Sequence, residues 1–174
     1  MLVFGYNNFL MKNAIRKMKK KSNRKNTDMI IGYAYVCADL LHAGHLDHLE
    51  FCKKFCDKLV VGVLTDKAVM EKKPKPIFGF EERLRLVQSL ECVDIAVPQE
   101  TYSPLNNASV IADILFESTS HTKEAIEEAK RVMGNLGKKV IVDIFRPHYG
   151  GPSSTAIKTK IKKEWKGGVD FCKK

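Results

Sequence analysis

The sequence predicts an α/β fold: a doubly wound, parallel, five-stranded sheet in a single domain. Three observations carry that prediction. Short apolar runs such as Met29–Cys37 and Lys58–Leu64 alternate with segments of helical period, the pattern of a parallel sheet covered on both faces. At 174 residues the chain suffices for one such domain with a proper core. Its apolar share of 44% and charged share of 29% are those of a globular protein.

Residues 1–27 read as a basic extension. They carry Lys12, Arg16, Lys17, Lys19, Lys20, Lys21, Arg24 and Lys25 and no acid, which accounts for eight of the +10 net charge. Phe9, Met11, Ile15 and Met18 are loosely spaced for a short amphipathic helix, followed by a polar basic linker. Three uses compete for such an arm: contact with nucleic acid or an acidic membrane, packing on a neighbouring subunit, or an inert leader. The mildly apolar Met1–Leu10 precedes the basic cluster, the wrong order for a secretory signal. No run approaches the roughly 18 apolar residues of a membrane span.

The domain occupies residues 28–174. Strands are expected at Met29–Cys37, Lys58–Leu64, Val93–Val97, Val110–Phe116 and Lys139–Phe145. Helices are expected at Gly44–Asp57, Phe80–Leu90, Thr122–Leu136 and Ser153–Trp165. Five cysteines without a CxxC pair predict reduced thiols and a cytoplasmic protein. Cys52 and Cys56 lie one helical turn apart, with His45 and His48 near the same face; core packing and a zinc site are the two readings.

Two stretches carry chemistry. In Asp39-Leu40-Leu41-His42-Ala43-Gly44-His45 a strand ends, the chain turns, and a helix begins with two imidazoles at its mouth. A helix N-terminus offers open N–H groups and the positive dipole end, which suits phosphate. His42 and His45 add N–H donors, or positive charge when protonated. Late in the chain, Arg146-Pro147-His148-Tyr149-Gly150-Gly151-Pro152-Ser153-Ser154-Thr155 is a glycine turn feeding hydroxyls into another helix. It reads as a second phosphate cradle.

The Asp-Leu-Leu-His-x-Gly-His stretch after a first strand resembles the nucleotidyltransferase superfamily, particularly small cytidylyltransferases such as glycerol-3-phosphate cytidylyltransferase. Phe80-Glu81-Glu82-Arg83 resembles the family's aromatic, polar pair and arginine at a helix start. Arg146 through Ser153-Ser154-Thr155-Ala156-Ile157 resembles its Arg-Thr-x-Gly-Ile-Ser-Thr-Thr-x-Ile, with two extra residues after Arg146. The resemblance covers about Met29 to Lys163. It implies a Rossmann-like fold, a homodimer, and attack by an acceptor oxygen on the α-phosphorus of a nucleoside triphosphate, with CTP as co-substrate and Mg²⁺ carried on its phosphates.

By that resemblance His42, His45 and Lys72 are the catalytic residues. Val36, Cys37, Ala38, Gly44, Arg83, Arg146, Ser153, Ser154 and Thr155 bind the nucleotide. Asp39, Asp66, Glu117, Ser118 and His121 bind a small phosphorylated or phosphonate acceptor. Plainer readings stand beside several of these. Asp66 would cap the next helix, Lys72 would belong to a solvated charge run, and Arg83 would pair with Glu81 or Glu82.

The chain departs from the family's pattern in three places. Val36-Cys37-Ala38 replaces Gly-Thr-Phe, Glu91 stands where glycerol-phosphate enzymes carry arginine, and Glu117-Ser118-Thr119-Ser120-His121 replaces a Gly-Asp-Asp-Trp-like turn. The acceptor is therefore expected to differ from glycerol 3-phosphate. An adenylyltransferase of the same fold is the runner-up, and a non-catalytic nucleotide-binding module the reading from a different class.

Overall fold

The computed structural model of the protein describes residues 29–118, 121–143 and 153–164. The basic extension and Arg146 lie outside these described residues. Five parallel strands, β1 (Ile31–Val36), β2 (Lys58–Leu64), β3 (Ile95–Gln99), β4 (Ile114–Ser118) and β5 (Lys139–Asp143), form one sheet in the order β3-β2-β1-β4-β5. The helices are α1 (Ala43–Lys53), α2 (Asp66–Met70), α3 (Phe80–Gln88), α4 (Leu105–Ile111), α5 (Lys123–Asn135) and α6 (Ser154–Glu164). The Rossmann-like α/β architecture is as the sequence predicts.

Alternation along β1 explains why both faces are covered. Ile31, Tyr33 and Tyr35 join a cluster with Ala68 and Val69 of α2, Ala108 and Ile111 of α4, and Ala129 and Met133 of α5. Ala34 and Val36 join the opposite cluster, with Leu49 and Cys52 of α1 and Val87 of α3. Successive residues of a strand point to opposite faces, so an all-apolar strand requires helices on each side. Pro98 sits in β3, an edge strand, where a missing N–H is tolerated.

The winding reverses between β1 and β4. Six residue pairs join β1 to β2, but only Gly32↔Ile114 and Tyr33↔Leu115 join β1 to β4. The two central strands therefore part toward their carboxyl ends, at the switch point where such sheets hold ligands.

Several elements differ from the sequence expectation. Val110 and Ile111 close α4, and β4 begins only at Ile114. Ala108 and Ile111 are buried one helical turn apart, which favours a helix over an extended run. β1 is shorter than expected and β3 is shifted toward its C-terminal side. α2 comprises five residues, started by Thr65, whose hydroxyl accepts from Ala68 N at 3.2 Å. No described helix is long and apolar enough to cross a membrane.

Arg83, expected to touch nucleotide, instead staples the strand ends together. Its side chain is fully buried. Nη1 donates to the carbonyls of Cys37 and Leu64, each at 2.7 Å, and Nε to that of Phe78 at 3.1 Å. Nη2 pairs with Asp66 at 2.6 Å, so Thr65, not Asp66, caps α2 and Asp66 is spent on the arginine. Removing one partner of a buried ionic network strands the others. Arg83→Met is expected to cost about 3 kcal/mol, read as a lower urea midpoint; unchanged stability with a raised nucleotide KM would return Arg83 to the nucleotide.

Candidate active site

A cavity of about 690 Å³ opens at the carboxyl edge of the sheet, where β1 and β4 part. β1 delivers Val36 and Cys37, the turn after it delivers Asp39 and His42, and α1 delivers Gly44 and His45. Ser118 enters from the end of β4, His121 from shortly after it, and Ser153, Ser154 and Thr155 from the start of α6. The two cradles, about 110 positions apart in the sequence, therefore line one cavity.

The two imidazoles face each other closely, with ring centroids 4.0 Å apart and planes tilted by 40°. His42 is the N-cap of α1 but makes no side-chain cap bond. A Cβ at Gly44 would meet the His42 ring at 3.1 Å, close enough that the ring would have to shift by a few tenths of an ångström. Among the described residues, the Nδ1 atoms of both histidines are buried without a hydrogen-bond partner. Buried polar atoms are seldom left so outside functional sites. Burial, then the neighbouring His42, His48 and Lys73, push His45 down to about 4. Burial lowers His42 as well. Near pH 7 both imidazoles are therefore neutral, serving as N–H donors without charge.

Asp39 lines the cavity but is engaged by protein. It accepts from Ile77 N at 2.6 Å and Phe78 N at 3.1 Å and forms an ion pair with Lys158 of α6. Burial works to raise its pKa, and the Lys158 ammonium with the two N–H groups outweighs that, holding the carboxyl below its ordinary range. Its expected place as an acceptor ligand is thus corrected to an anchor that fastens α6 and the 77–78 loop to the β1 turn. Ser154 adds a bond at 3.4 Å to the carbonyl of Leu40. Ser153 caps α6 by accepting from Ala156 N at 3.0 Å. Just before Asp39, buried Ala38 adopts φ 55°, a left-handed conformation costing an alanine about 1 kcal/mol. Ala38 does not line the cavity.

The remaining expected residues divide. Lys72 and Glu117 line a smaller adjoining cavity, and Lys73 takes the place on the main wall expected for Lys72. Glu117 is buried; its Oε2 accepts from Tyr35 OH at 2.9 Å and lies 2.6 Å from His121 Nδ1. His48, which the sequence offers only as a metal ligand, lines the cavity with Nδ1 2.6 Å from buried Asp143 at the end of β5. Its Nε2 lies 3.8 Å from Cys52 Sγ, whereas Cys56 Sγ donates to the Cys52 carbonyl. No three His, Cys, Asp or Glu side chains group as metal ligands among the described residues; the zinc reading gives way to core packing. Thr155, Lys158, Thr159 and Lys162 share one face of α6, a helical spacing visible in the sequence.

Comparison with known proteins places the chain in a family. Residues 33–160 match the family model described as cytidylyltransferase-like. The chain belongs to the cytidylyltransferase-like family of nucleotidyltransferases. Among curated proteins it is 34% identical over 140 residues to the bifunctional protein HldE of Granulibacter bethesdensis, covering 79% of this chain and 28% of that one. It is 35% identical over 130 residues to HldE of Hyphomonas neptunium, covering 73% and 26%. The chain thus spans little more than a quarter of the length of these relatives.

Among solved structures, a lipopolysaccharide core biosynthesis protein from Thermoplasma volcanium matches with TM-score 0.58 and 30% identity, covering 66% of this chain and 93% of that one. Pantoate-β-alanine ligase from Francisella tularensis matches at 0.55 with 14% identity, over 92% and 79%. The last likeness concerns the fold alone.

An imidazole harder to protonate in the folded chain than in the unfolded one favours unfolding as the pH falls. Stability is therefore expected to drop between pH 6.5 and about 4, by on the order of 3 kcal/mol from His45. Urea midpoints across that range check it, and His45→Gln is expected to flatten the slope.

Proposed function

We propose that the chain transfers a nucleotidyl group from a nucleoside triphosphate to a phosphate or phosphonate oxygen of a small acceptor, releasing pyrophosphate. CTP is the first choice of donor and ATP the second. The observation that carries this reading is the pair of imidazoles, each with a buried Nδ1 that has no hydrogen-bond partner among the described residues, sharing a cavity with the hydroxyls of α6. A non-catalytic module would have no use for two desolvated imidazoles that cost stability.

Transfers of this kind need in-line positioning and neutralisation of charge on phosphoryl oxygens more than covalent help. His42 and His45 donate N–H groups where charge grows on the α-phosphoryl group. Open N–H groups of α1 and the positive end of its dipole support them. Thr155 and Lys162, with Lys73 from the opposite wall, hold the triphosphate tail. The donor set suits a cation borne by phosphate. Mg²⁺ brought with the nucleotide would supply charge neutralisation there, and Asp47, which lines the cavity without an ion pair among the described residues, would help to hold it. The likeness to a lipopolysaccharide core biosynthesis protein puts sugar phosphates in the acceptor panel.

The test is pyrophosphate release by the full chain from each of the four nucleoside triphosphates, against polyol, sugar and choline-type phosphates and small phosphonates. Losing one donor to a developing charge lowers turnover by about 100- to 1000-fold. His45→Ala is expected to fall by that factor while its unfolding midpoint near pH 7 holds. Near-normal turnover in that variant contradicts the assignment, and release from ATP alone moves the donor to the second choice.

A further inference from the structure

His48 and Asp143 both line the main cavity, and the transfer described above uses neither. Asp143 is 4% exposed, and its Oδ2 lies 2.6 Å from His48 Nδ1. His48 stands three residues beyond His45 on α1, a rise of about 4.5 Å away from the helix mouth. Measured along α1, the pair therefore lies past the two central imidazoles.

Strand alternation gives the pair its side of the cavity. Ile141 of β5 packs against the core cluster under α1. Asp143, two residues further on, points to that same face, as Val36 does from β1. Glu117 and His121, expected to hold the acceptor, gather around Tyr35 on the opposite face. The Asp143 side is closed laterally by α6, whose Thr155 and Thr159 share the wall.

A carboxylate repels a polyphosphate, so Asp143 is out of place beside the triphosphate tail. It suits a neutral group that carries N–H donors. An ionised carboxylate only accepts, at about four lone-pair sites, and the bond to His48 fixes how this one is turned. Among bases, cytosine and adenine present an exocyclic amine where uracil and hypoxanthine present a carbonyl oxygen. A carboxylate accepts from that amine, whereas against the carbonyl two acceptors face each other unpaired.

We infer that Asp143, aimed by His48, selects the donor nucleotide by the exocyclic amine of its base, taking CTP or ATP and refusing UTP and ITP. This rests on the transfer reading above, in which the triphosphate reaches His42 and His45 and the acceptor occupies the opposite face. The base then lies between α1 and α6, against Asp143.

Calorimetric binding of CTP against UTP, and of ATP against ITP, tests the selection on the full chain without an acceptor. Each pair differs at the edge that carries amine or carbonyl, so contacts to phosphate and ribose cancel. In at least one pair the amine is expected to bind about 100-fold tighter or more, because a site built for an N–H strongly rejects an analogue lacking it. Asp143→Asn, whose amide offers a donor as readily as an acceptor, is expected to bring that ratio below about tenfold. A ratio taken within one variant cancels any loss of folded protein. His48→Leu keeps the carboxylate, loses the bond that aims it, and is expected to give a ratio between the two.

Equal binding within both pairs, or a preference left intact by Asp143→Asn and by His48→Leu, overturns the selection. Pyrophosphate release with the acceptor panel above then still leaves the transfer standing. A preference lost in Asp143→Asn while no acceptor yields pyrophosphate keeps the selection and overturns the transfer. Binding of none of the four triphosphates overturns both.

Discussion

The guanidinium of Arg83 is the constraint on which the rest of this edge depends. It is a buried charge satisfied by three carbonyls and one carboxylate. Two of those carbonyls, of Cys37 and Leu64, end the two strands that flank the site. Strand ends leave carbonyls without ladder partners, and a buried orphan carbonyl costs free energy. One planar group with five donors satisfies several of them at once. With Cys37 fixed, the left-handed Ala38 and the anchor Asp39 follow, and then His42 at the mouth of α1. The strand end from which the turn to the imidazoles departs is thus held by an arginine that does not line the cavity.

A second layer of constraint is electrostatic. The cavity holds several basic groups, but few of them are free positive charges near pH 7. Lys158 is paired with Asp39, His48 with Asp143, and the two central imidazoles are kept neutral by burial. Arrival of a triphosphate would reverse the balance, because nearby negative charge favours the protonated imidazole.

Much of this was legible in the sequence, for identifiable reasons. The apolar run into β1 and the Gly44 turn located His42 and His45 between strand and helix, because strand length and helix period are local signals. The hydroxyls of Ser153–Thr155 were legible as a cradle for the same reason. What was not legible is long-range. The direction of the Arg83 side chain depends on carbonyls 19 and 46 residues away, and the His48–Asp143 pair spans 95. Lys72 and Lys73 are neighbours in a charge run, and only the fold of the loop against Tyr102 decides which faces the main cavity. The stretch before β4 is ambiguous in sequence because Ala108 to Phe116 is apolar enough for strand or helix, and packing of Ala108 and Ile111 decides.

The central claim is that two desolvated, neutral imidazoles await a triphosphate. Histidine ring resonances followed by NMR across a pH titration, with and without a non-hydrolysable nucleoside triphosphate, test it most directly. The account predicts that His42 and His45 titrate below the ordinary histidine range in the free chain, and that both titrations move upward when the analogue binds. Ordinary titration of both rings, or resonances unmoved by the analogue, would contradict it.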